Sequence, residues 1–206
     1  MDNFYIDTDF KFDLAKLREA VKTIDSRVAR QSPLGERDIN AICLTHIPGD
    51  PNSITGGNVR GLYWTRPDST GVEVMREERI DETKYSGFVK LFEDTYFKEV
   101  YDTLLKKYKL GRVRVLWKLP RTTLSWHRDP EPRLHIPIIT NPGAIMVVDK
   151  EARHMPADGS VWVVDNTKYH NFFNGGEEDR IHFVATIIQQ HQEQLLAKST
   201  YWNTNR

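Results

Sequence analysis

The chain contains a single cysteine, Cys43, among 206 residues. One thiol cannot form an intramolecular disulfide framework or a cysteine-rich zinc site. Cys43 lies in the apolar run Ala41-Ile42-Cys43-Leu44, where a buried structural thiol is expected rather than a nucleophile. The cysteine content therefore excludes two common classes of small domain and fits a reducing compartment, which we take to be the cytoplasm.

An excess of either charge is also lacking, since 29 Lys and Arg residues balance 29 Asp and Glu residues. A balanced chain has no general attraction to nucleic acid or to an anionic membrane. No apolar run approaches the roughly 20 residues that a membrane-spanning helix needs, and Met1-Asp2-Asn3-Phe4 does not open a secretory signal peptide. We expect neither nucleic acid nor membrane as a partner, and the oligomeric state stays open.

Internal repeats, low-complexity segments and Pro- or Ser-rich linkers are absent as well, which favours one domain over residues 1–206. We divide it into a helical and mixed N-terminal part, 1–111, and a β-rich part, 112–188. In the first part, Asp13 is a suitable N-cap for a helix whose apolar residues recur with helical period. The other predicted elements outside the β-rich part are strands over Ile39–Ile47 and Gly61–Thr65, a long amphipathic helix over about Thr83–Leu110 that stops at Gly111, and a short helix near His191–Lys198.

The β-rich part consists of short runs separated by turn formers such as Asn141-Pro142-Gly143. Several short strands at this spacing predict a mainly β sandwich or barrel, with the N-terminal helices packed outside it. The predicted strands are Arg112–Leu119, Leu134–Thr140, Ala144–Asp149, Ser160–Asp165, Asn171–Asn174 and Ile181–Ile188.

The segment Ser125-Trp126-His127-Arg128-Asp129 carries the first chemical signal. On an extended backbone the side chains of His127 and Asp129 point the same way, and a second histidine, His170, follows beyond two strand runs. Two histidines and one carboxylate on one face form a triad that leaves three positions open on Fe(II). A bidentate keto acid and O2 need those positions.

Arg180 opens the last predicted strand, ten residues after His170. A guanidinium is the natural bidentate partner of a carboxylate. On a strand next to the last ligand, it can hold the far carboxylate of 2-oxoglutarate while the keto-acid end binds iron.

Arg133 and His135 share one face of the next predicted strand, opposite Leu134 and Ile136. One interpretation is a half-exposed strand whose polar residues face water. The other places both residues beside the metal or the co-substrate.

In this order along the chain, His127-x-Asp129, Arg133-x-His135, Tyr169-His170 and Arg180 resemble the aspartyl/asparaginyl β-hydroxylase family of Fe(II)/2-oxoglutarate-dependent dioxygenases. The similarity spans Arg112 to Ile188. It implies a double-stranded β-helix core, also called a jelly roll or cupin-like fold. It also implies a hydroxylase reaction with O2, in which 2-oxoglutarate is decarboxylated to succinate.

The resemblance implies a role for each matching residue. His127, Asp129 and His170 would be the catalytic iron ligands, Arg180 would bind the distal carboxylate of 2-oxoglutarate, and Arg133 and His135 would contact the co-substrate. Animal members of the family assist Arg180's counterpart with a hydroxyl from the strand before the first ligand. Here that strand reads Leu116-Trp117-Lys118, so the second partner of the carboxylate is not identified.

The expected substrate is an amino acid, either free or as an Asp/Asn- or Pro-like residue of a peptide. Arg66 and Arg128 are candidates for binding a substrate carboxylate, or else are solvated surface residues; His182 has no assigned role.

One alternative function is a cupin-like protein that binds zinc or iron without oxygenase turnover, which gives Arg180 no role. Another alternative function is a non-catalytic β-sandwich interaction domain, in which the histidines bind no metal.

Overall fold

The computed structural model describes residues 2–32, 39–55, 61–67, 69–76 and 80–188, so the helix predicted near His191–Lys198 lies outside the described residues. Within this part of the chain, strands outnumber helices, and the paired strands are antiparallel. The elements in chain order are β1 (Phe4–Lys11), α1 (Leu14–Arg27), β2 (Ile39–Cys43), β3 (Thr45–His46), β4 (Tyr63–Thr65), β5 (Val74–Arg76), β6 (Gly87–Phe88), α2 (Tyr96–Leu104), β7 (Leu110–Lys118), β8 (Thr122–Thr123), β9 (His127–Arg128), β10 (Arg133–Ile139), β11 (Ala144–Val148), β12 (Glu151–His154), β13 (Ser160–Val164), β14 (His170–Asn174) and β15 (Arg180–Ile187), with 3-10 turns over Pro51–Ile54, Glu82–Lys84 and Lys90–Phe92.

The described strands form two principal sheets. The first has the order β1-β13-β10-β15-β7-β2, and the second has the order β12-β11-β14-β9-β4-β5 with β8 beside β14. From β7 onward the chain passes back and forth between them, because β7, β10, β13 and β15 lie in the first sheet and β9, β11 and β14 in the second. This alternation is the jelly-roll arrangement, and it confirms the predicted fold class. The extent of the single domain, 1–206, stays a prediction.

Both helices pack on the outer face of the first sheet, as predicted. Asp13 caps α1, since its carboxylate accepts hydrogen bonds from the backbone N–H groups of Ala15 and Lys16 at 2.9 and 3.1 Å. The buried side chains of both helices and of the sheet form one large apolar cluster; its members include Leu17, Val21, Ile24, Phe97, Val100, Leu104, Val113, Val115, Leu134, Ile136, Ile181 and Phe183. None of the helices in the described segments is long and apolar enough to cross a membrane.

The inner face of the first sheet is polar, and strand alternation explains why. Along β15, Ile181 and Phe183 join the outer apolar cluster, whereas the residues between them turn towards the second sheet. The inward side chains on this sheet are buried despite their charge or polarity: Arg114, Lys118, Arg133, His135, Arg180, His182 and Thr186. The molecule therefore has its main apolar core outside the sandwich and a polar chamber inside it.

The prediction of one long helix over Thr83–Leu110 is wrong. The segment contains two short 3-10 turns, the strand β6, and a helix of nine residues, α2, before β7 begins at Leu110. Apolar spacing misled the prediction: Leu91 has helical spacing but is 50% exposed, and Phe88 pairs as a strand residue with Thr45. Gly111 lies inside β7 and does not stop a helix.

Three other elements differ from the prediction. The strand predicted over Ile39–Ile47 is divided into β2 and β3 at Leu44, and β3 pairs with β6. The N-terminal strand β1 has no clear apolar alternation in the sequence, yet it forms the edge of the first sheet against β13. The short strand β12 was missed because its sequence, Glu-Ala-Arg-His, is mostly polar.

A buried ion pair joins the 3-10 turn at Glu82 to β7. The Glu82 carboxylate accepts from the backbone N–H of Arg112 at 2.7 Å and from its guanidinium at 2.7 and 2.9 Å. Gly111 permits this approach, because a Cβ there would lie 2.6 Å from Oε2 of Glu82. Burial raises the pKa of Glu82, but the charges of Arg112 and Arg133 outweigh that effect and leave the pKa below its usual value.

We expect Glu82→Gln to lower the free energy of unfolding at pH 7 by about 3–5 kcal/mol, because it leaves a buried guanidinium without its charge partner. Since the pKa of Glu82 is depressed by folding, its stabilisation is present above the ordinary value of 4.5 and is lost as the pH falls below it. Urea denaturation at several pH values measures both effects. Glu177→Gln is the control, since its ion pair with Arg121 is mostly exposed and little change is expected. An equally small effect of Glu82→Gln would contradict the prediction.

Candidate metal and co-substrate site

The three predicted metal ligands lie together at one end of the chamber. His127 on β9 is the direct cross-strand partner of His170 on β14, and Asp129 follows β9 by one residue. One ligand atom from each of the three lies within 4.8 Å of the others. The predicted convergence of residues distant in the chain is therefore present.

Backbone carbonyls orient both imidazoles. Nδ1 of His127 lies 2.6 Å from the carbonyl oxygen of Ser125, and Nδ1 of His170 lies 3.0 Å from that of Lys168. A carbonyl only accepts hydrogen bonds, so each Nδ1 carries the proton and each Nε2 keeps its lone pair. This is the tautomer that a metal ligand requires. Nε2 of His170 is also 2.9 Å from the side-chain amide nitrogen of Asn166, which sequence reasoning did not single out.

The charges at the site also suit a cation. Burial raises the pKa of Asp129, but neighbouring positive charge, above all that of Arg133, lowers it further, so the carboxylate is ionised at neutral pH. Burial, together with the charge of His127, lowers the pKa of His170 to about 4, which leaves this imidazole neutral. The backbone N–H of Asp129 donates to the carbonyl of Asn166 at 2.8 Å and ties the carboxylate to the loop before β14.

Arg180 lies inside the chamber, as a buried cation without an anion. It is only 4% exposed, and its guanidinium carbon stands 4.0 Å from the ring centre of Phe172 on the opposite sheet. Its Nε has no hydrogen-bond partner, and Arg180 forms no ion pair with any described residue. Burial lowers its pKa far below the ordinary value. A desolvated charge without a partner is costly, so this position is suited to an anionic ligand.

His135 and His182 form a buried pair beside Arg180. Their Nδ1 atoms are 3.5 Å apart, and each Nε2 is buried without a hydrogen-bond partner. Burial and the charge of Arg180 lower the pKa of both rings well below the usual value, so both are neutral. The sequence left His182 unassigned, although its position two residues after Arg180 on one strand put it on the same face.

Arg133 and His135 share the inner face of β10, which agrees with the predicted pairing of their side chains. They are 6% and 5% exposed, so the half-exposed interpretation of this strand is wrong. The guanidinium of Arg133 lies 3.3 Å from Asp129 and 3.4 Å from Glu131. Its charge is therefore directed at the candidate metal ligand, and contact with a co-substrate stays a prediction.

The residues considered for other roles lie elsewhere. Arg128 forms a bidentate ion pair with Glu73 at 2.6 Å on the outer face of the second sheet, away from the chamber. Arg66 lies on the same outer side, with its guanidinium carbon 4.4 Å from the ring centre of Tyr169. Lys118, in the strand that lacks a hydroxyl, is the cross-strand partner of Arg180, and its Nζ donates to the carbonyl of Thr123 at 3.1 Å.

Comparison with known families agrees with this arrangement. The family model described as aspartyl/asparaginyl beta-hydroxylase matches residues 89–190, which include all the predicted metal and co-substrate residues. No curated protein matches. The resemblance seen in the motif order is thereby confirmed: residues 89–190 match the model of the aspartyl/asparaginyl β-hydroxylase family, and the protein is an Fe(II)/2-oxoglutarate-dependent dioxygenase.

Solved structures of known proteins also align with this chain. A prolyl hydroxylase from Trichoplax adhaerens, in complex with a hypoxia-inducible-factor peptide fragment, aligns with a TM-score of 0.53 and 8% identity over 95% of this chain and 87% of its own. A prolyl-4-hydroxylase from Pseudomonas putida aligns with a TM-score of 0.48 and 10% identity over 91% and 93%. A 2OG-Fe(II) oxygenase-family oxidoreductase from Burkholderia pseudomallei aligns with a TM-score of 0.48 and 15% identity over 90% and 84%. At this identity, the first alignment shows a common fold.

We expect Arg180→Met to leave the free energy of unfolding of the ligand-free protein unchanged or higher. The substitution removes a buried charge that has no partner, whereas most substitutions of buried residues destabilise. Urea denaturation without added anions measures the effect. Arg112→Met is the matched control, because it removes the partner of Glu82 and is expected to cost about 3–5 kcal/mol. A loss of that size for Arg180→Met would mean that the guanidinium already has a stabilising partner.

Proposed function

We propose that this dioxygenase hydroxylates an amino acid, either free or as an Asp/Asn- or Pro-like residue of a peptide, using Fe(II), 2-oxoglutarate and O2. The observation that carries the proposal is the buried, unpaired guanidinium of Arg180 in the same chamber as the three candidate ligands. A protein that bound a metal without a dicarboxylate would have no use for it. The alternative of a cupin-like zinc or iron protein without turnover is therefore disfavoured.

In this proposal His127, Asp129 and His170 hold the iron. Two imidazoles that carry a proton on Nδ1 and one ionised carboxylate match the facial ligand set of Fe(II) oxygenases. When bound, the iron supplies the activation of O2 that links decarboxylation of 2-oxoglutarate to hydroxylation of the substrate. Arg133 holds Asp129 in place through its ion pair at 3.3 Å.

Arg180 binds the distal carboxylate of 2-oxoglutarate in the proposed complex. Because the guanidinium is desolvated and planar, a bidentate carboxylate there gains more than it would at a surface. The pair of His135 and His182 supplies a further donor. Both rings are neutral, so a Nδ1–H···Nδ1 hydrogen bond between them leaves an Nε2–H on one ring only. That donor is a candidate for the second partner that the strand Leu116-Trp117-Lys118 does not offer as a hydroxyl.

The substrate is the least constrained part of the proposal. A peptide is compatible with the fold, since the structurally similar Trichoplax enzyme is in complex with a peptide fragment. A small substrate, such as a free amino acid, is the alternative. Succinate formation measured with free amino acids and with a peptide panel separates the two, because turnover on peptides alone would exclude the small-molecule version.

We expect an anaerobic titration with Fe(II) and 2-oxoglutarate to produce a visible metal-to-ligand charge-transfer band. His127→Ala and His170→Ala should lose Fe(II) binding and the band while the fold, followed by circular dichroism, is retained. No band with the folded wild-type protein would overturn the proposed function.

Arg180→Met should retain Fe(II) but need a much higher concentration of 2-oxoglutarate, because it removes a carboxylate partner and not a metal ligand. Arg180→Lys should restore affinity only in part, since an ammonium cannot reproduce the fork. In the wild type, 2-oxoglutarate at 100 times its Kd should raise the free energy of unfolding by about 2.7 kcal/mol. Wild-type 2-oxoglutarate affinity in Arg180→Met would remove Arg180 from this role.

A further inference from the structure

The residues next to the two candidate histidine ligands lie on the opposite face of the second sheet. Arg128 follows His127 and Tyr169 precedes His170, so strand alternation turns Arg128 and Tyr169 outward when the histidines turn inward. The pairing of β4 with β9 shows the same alternation of inward and outward side chains: Thr65 lies opposite His127, and Trp64 lies opposite Arg128.

A single carboxylate connects these two outward residues. Oε1 and Oε2 of Glu73 each accept a hydrogen bond from the Arg128 guanidinium at 2.6 Å, and Oε1 also accepts from the Tyr169 hydroxyl at 2.9 Å. Glu73 immediately precedes β5, two strands away from β9 in the sheet. We call Glu73, Arg128 and Tyr169 the outer clamp.

The outer clamp differs from an ordinary surface ion pair. The side chains of Arg128 and Glu73 are 23% and 31% exposed, compared with 74% and 82% for the Arg121–Glu177 pair. The guanidinium of Arg128 also stacks 4.0 Å from the ring centre of Trp64. The hydrogen bond from Arg128 lowers the pKa of Glu73, while burial and the bond to Glu73 raise the pKa of Tyr169 to about 12. The clamp therefore keeps its charges and its hydroxyl proton at neutral pH.

The strand that carries His127 is short, so contacts around it share in setting the spacing of the two histidines. β9 is two residues long, and a single pair, His127 with His170, connects it to β14. A metal held by both rings needs their relative position kept within a fraction of an ångström. Partners of this kind behind the ligands are expected to contribute to metal affinity.

We propose that Glu73 is a positioning residue for the metal site: through Arg128 and Tyr169 it sets the spacing of His127 and His170, and it couples metal affinity to the docking of the β4–β5 hairpin. This inference rests on the proposed function, because it takes the histidines to be iron ligands. Coupling is reciprocal, so the metal in turn stabilises the hairpin against opening.

The test compares Fe(II) affinity in four proteins by anaerobic competition with a chromophoric chelator. Glu73→Gln keeps the size of the side chain but loses its charge, and we expect about tenfold weaker Fe(II) binding. Tyr169→Phe removes one hydroxyl and should weaken binding by a smaller factor. Glu177→Gln removes the exposed ion pair with Arg121 and should bind Fe(II) like the wild type.

Amide hydrogen exchange supplies a readout that a purely structural role would not change. In the wild type, Fe(II) should slow exchange in the 63–65 and 74–76 strands, and Glu73→Gln should lose this metal-dependent protection while its metal-free exchange stays close to the wild type's.

The outcomes separate the two proposals. If the wild-type protein does not bind Fe(II), the proposed function fails. If it binds Fe(II) and Glu73→Gln binds it equally tightly, the clamp inference is wrong and the proposed function stands. Should Glu73→Gln not fold, Tyr169→Phe decides the question, since unchanged affinity and unchanged protection in that variant would overturn the inference.

Discussion

One unfavourable feature governs the chemistry of the chamber: the guanidinium of Arg180 is buried against Phe172 without an anion. A charge in that position is tolerated because the first sheet is stabilised from its other side, where α1 and α2 cover an apolar cluster that needs nothing from the chamber. Strand alternation thus places the two kinds of residue on opposite faces of the sheet. Along β15, the odd-numbered residues pack in the apolar cluster, and the even-numbered residues line the chamber. In the proposed complex, a bound carboxylate would recover the stability that the unpaired charge withholds from the ligand-free protein.

Backbone geometry also orients the two candidate histidine ligands. Their orientation comes from backbone carbonyls at Ser125 and Lys168, which lie two residues before each histidine and need no dedicated side chain. The guanidinium of Arg133 forms ion pairs with two carboxylates, those of Asp129 and Glu131. Charge balance around Asp129 therefore depends on groups from β10 and from the neighbouring loop, and a substitution at Arg133 is expected to affect metal and co-substrate together.

Sequence-based prediction of the strands was correct where the local apolar pattern matches the burial of those residues in the fold. The six predicted strands of the 112–188 part lie within two residues of the observed ones, because each is an apolar-rich run bounded by turn formers. It failed over Thr83–Leu110, where apolar residues at helical spacing belong to a strand, two turns and a shorter helix. In the site, the convergence of His127, Asp129 and His170 was predictable from motif order. Glu73 was not, because nothing in its local sequence indicates that it contacts residues 55 and 96 positions away.

By itself, the sequence determined which side chains were available and which of them share a strand face, since the two-residue period of a β-strand is a local property. That was sufficient for the class of fold, the ligand set and the pairing of Arg133 with His135. Only the tertiary structure decided that Arg180 is desolvated and unpaired, that His182 joins His135, and that Arg128 turns away from the site to Glu73. Whether a side chain is buried, and which charged groups lie next to it, depends on how one sheet packs on the other. No local sequence pattern contains that information.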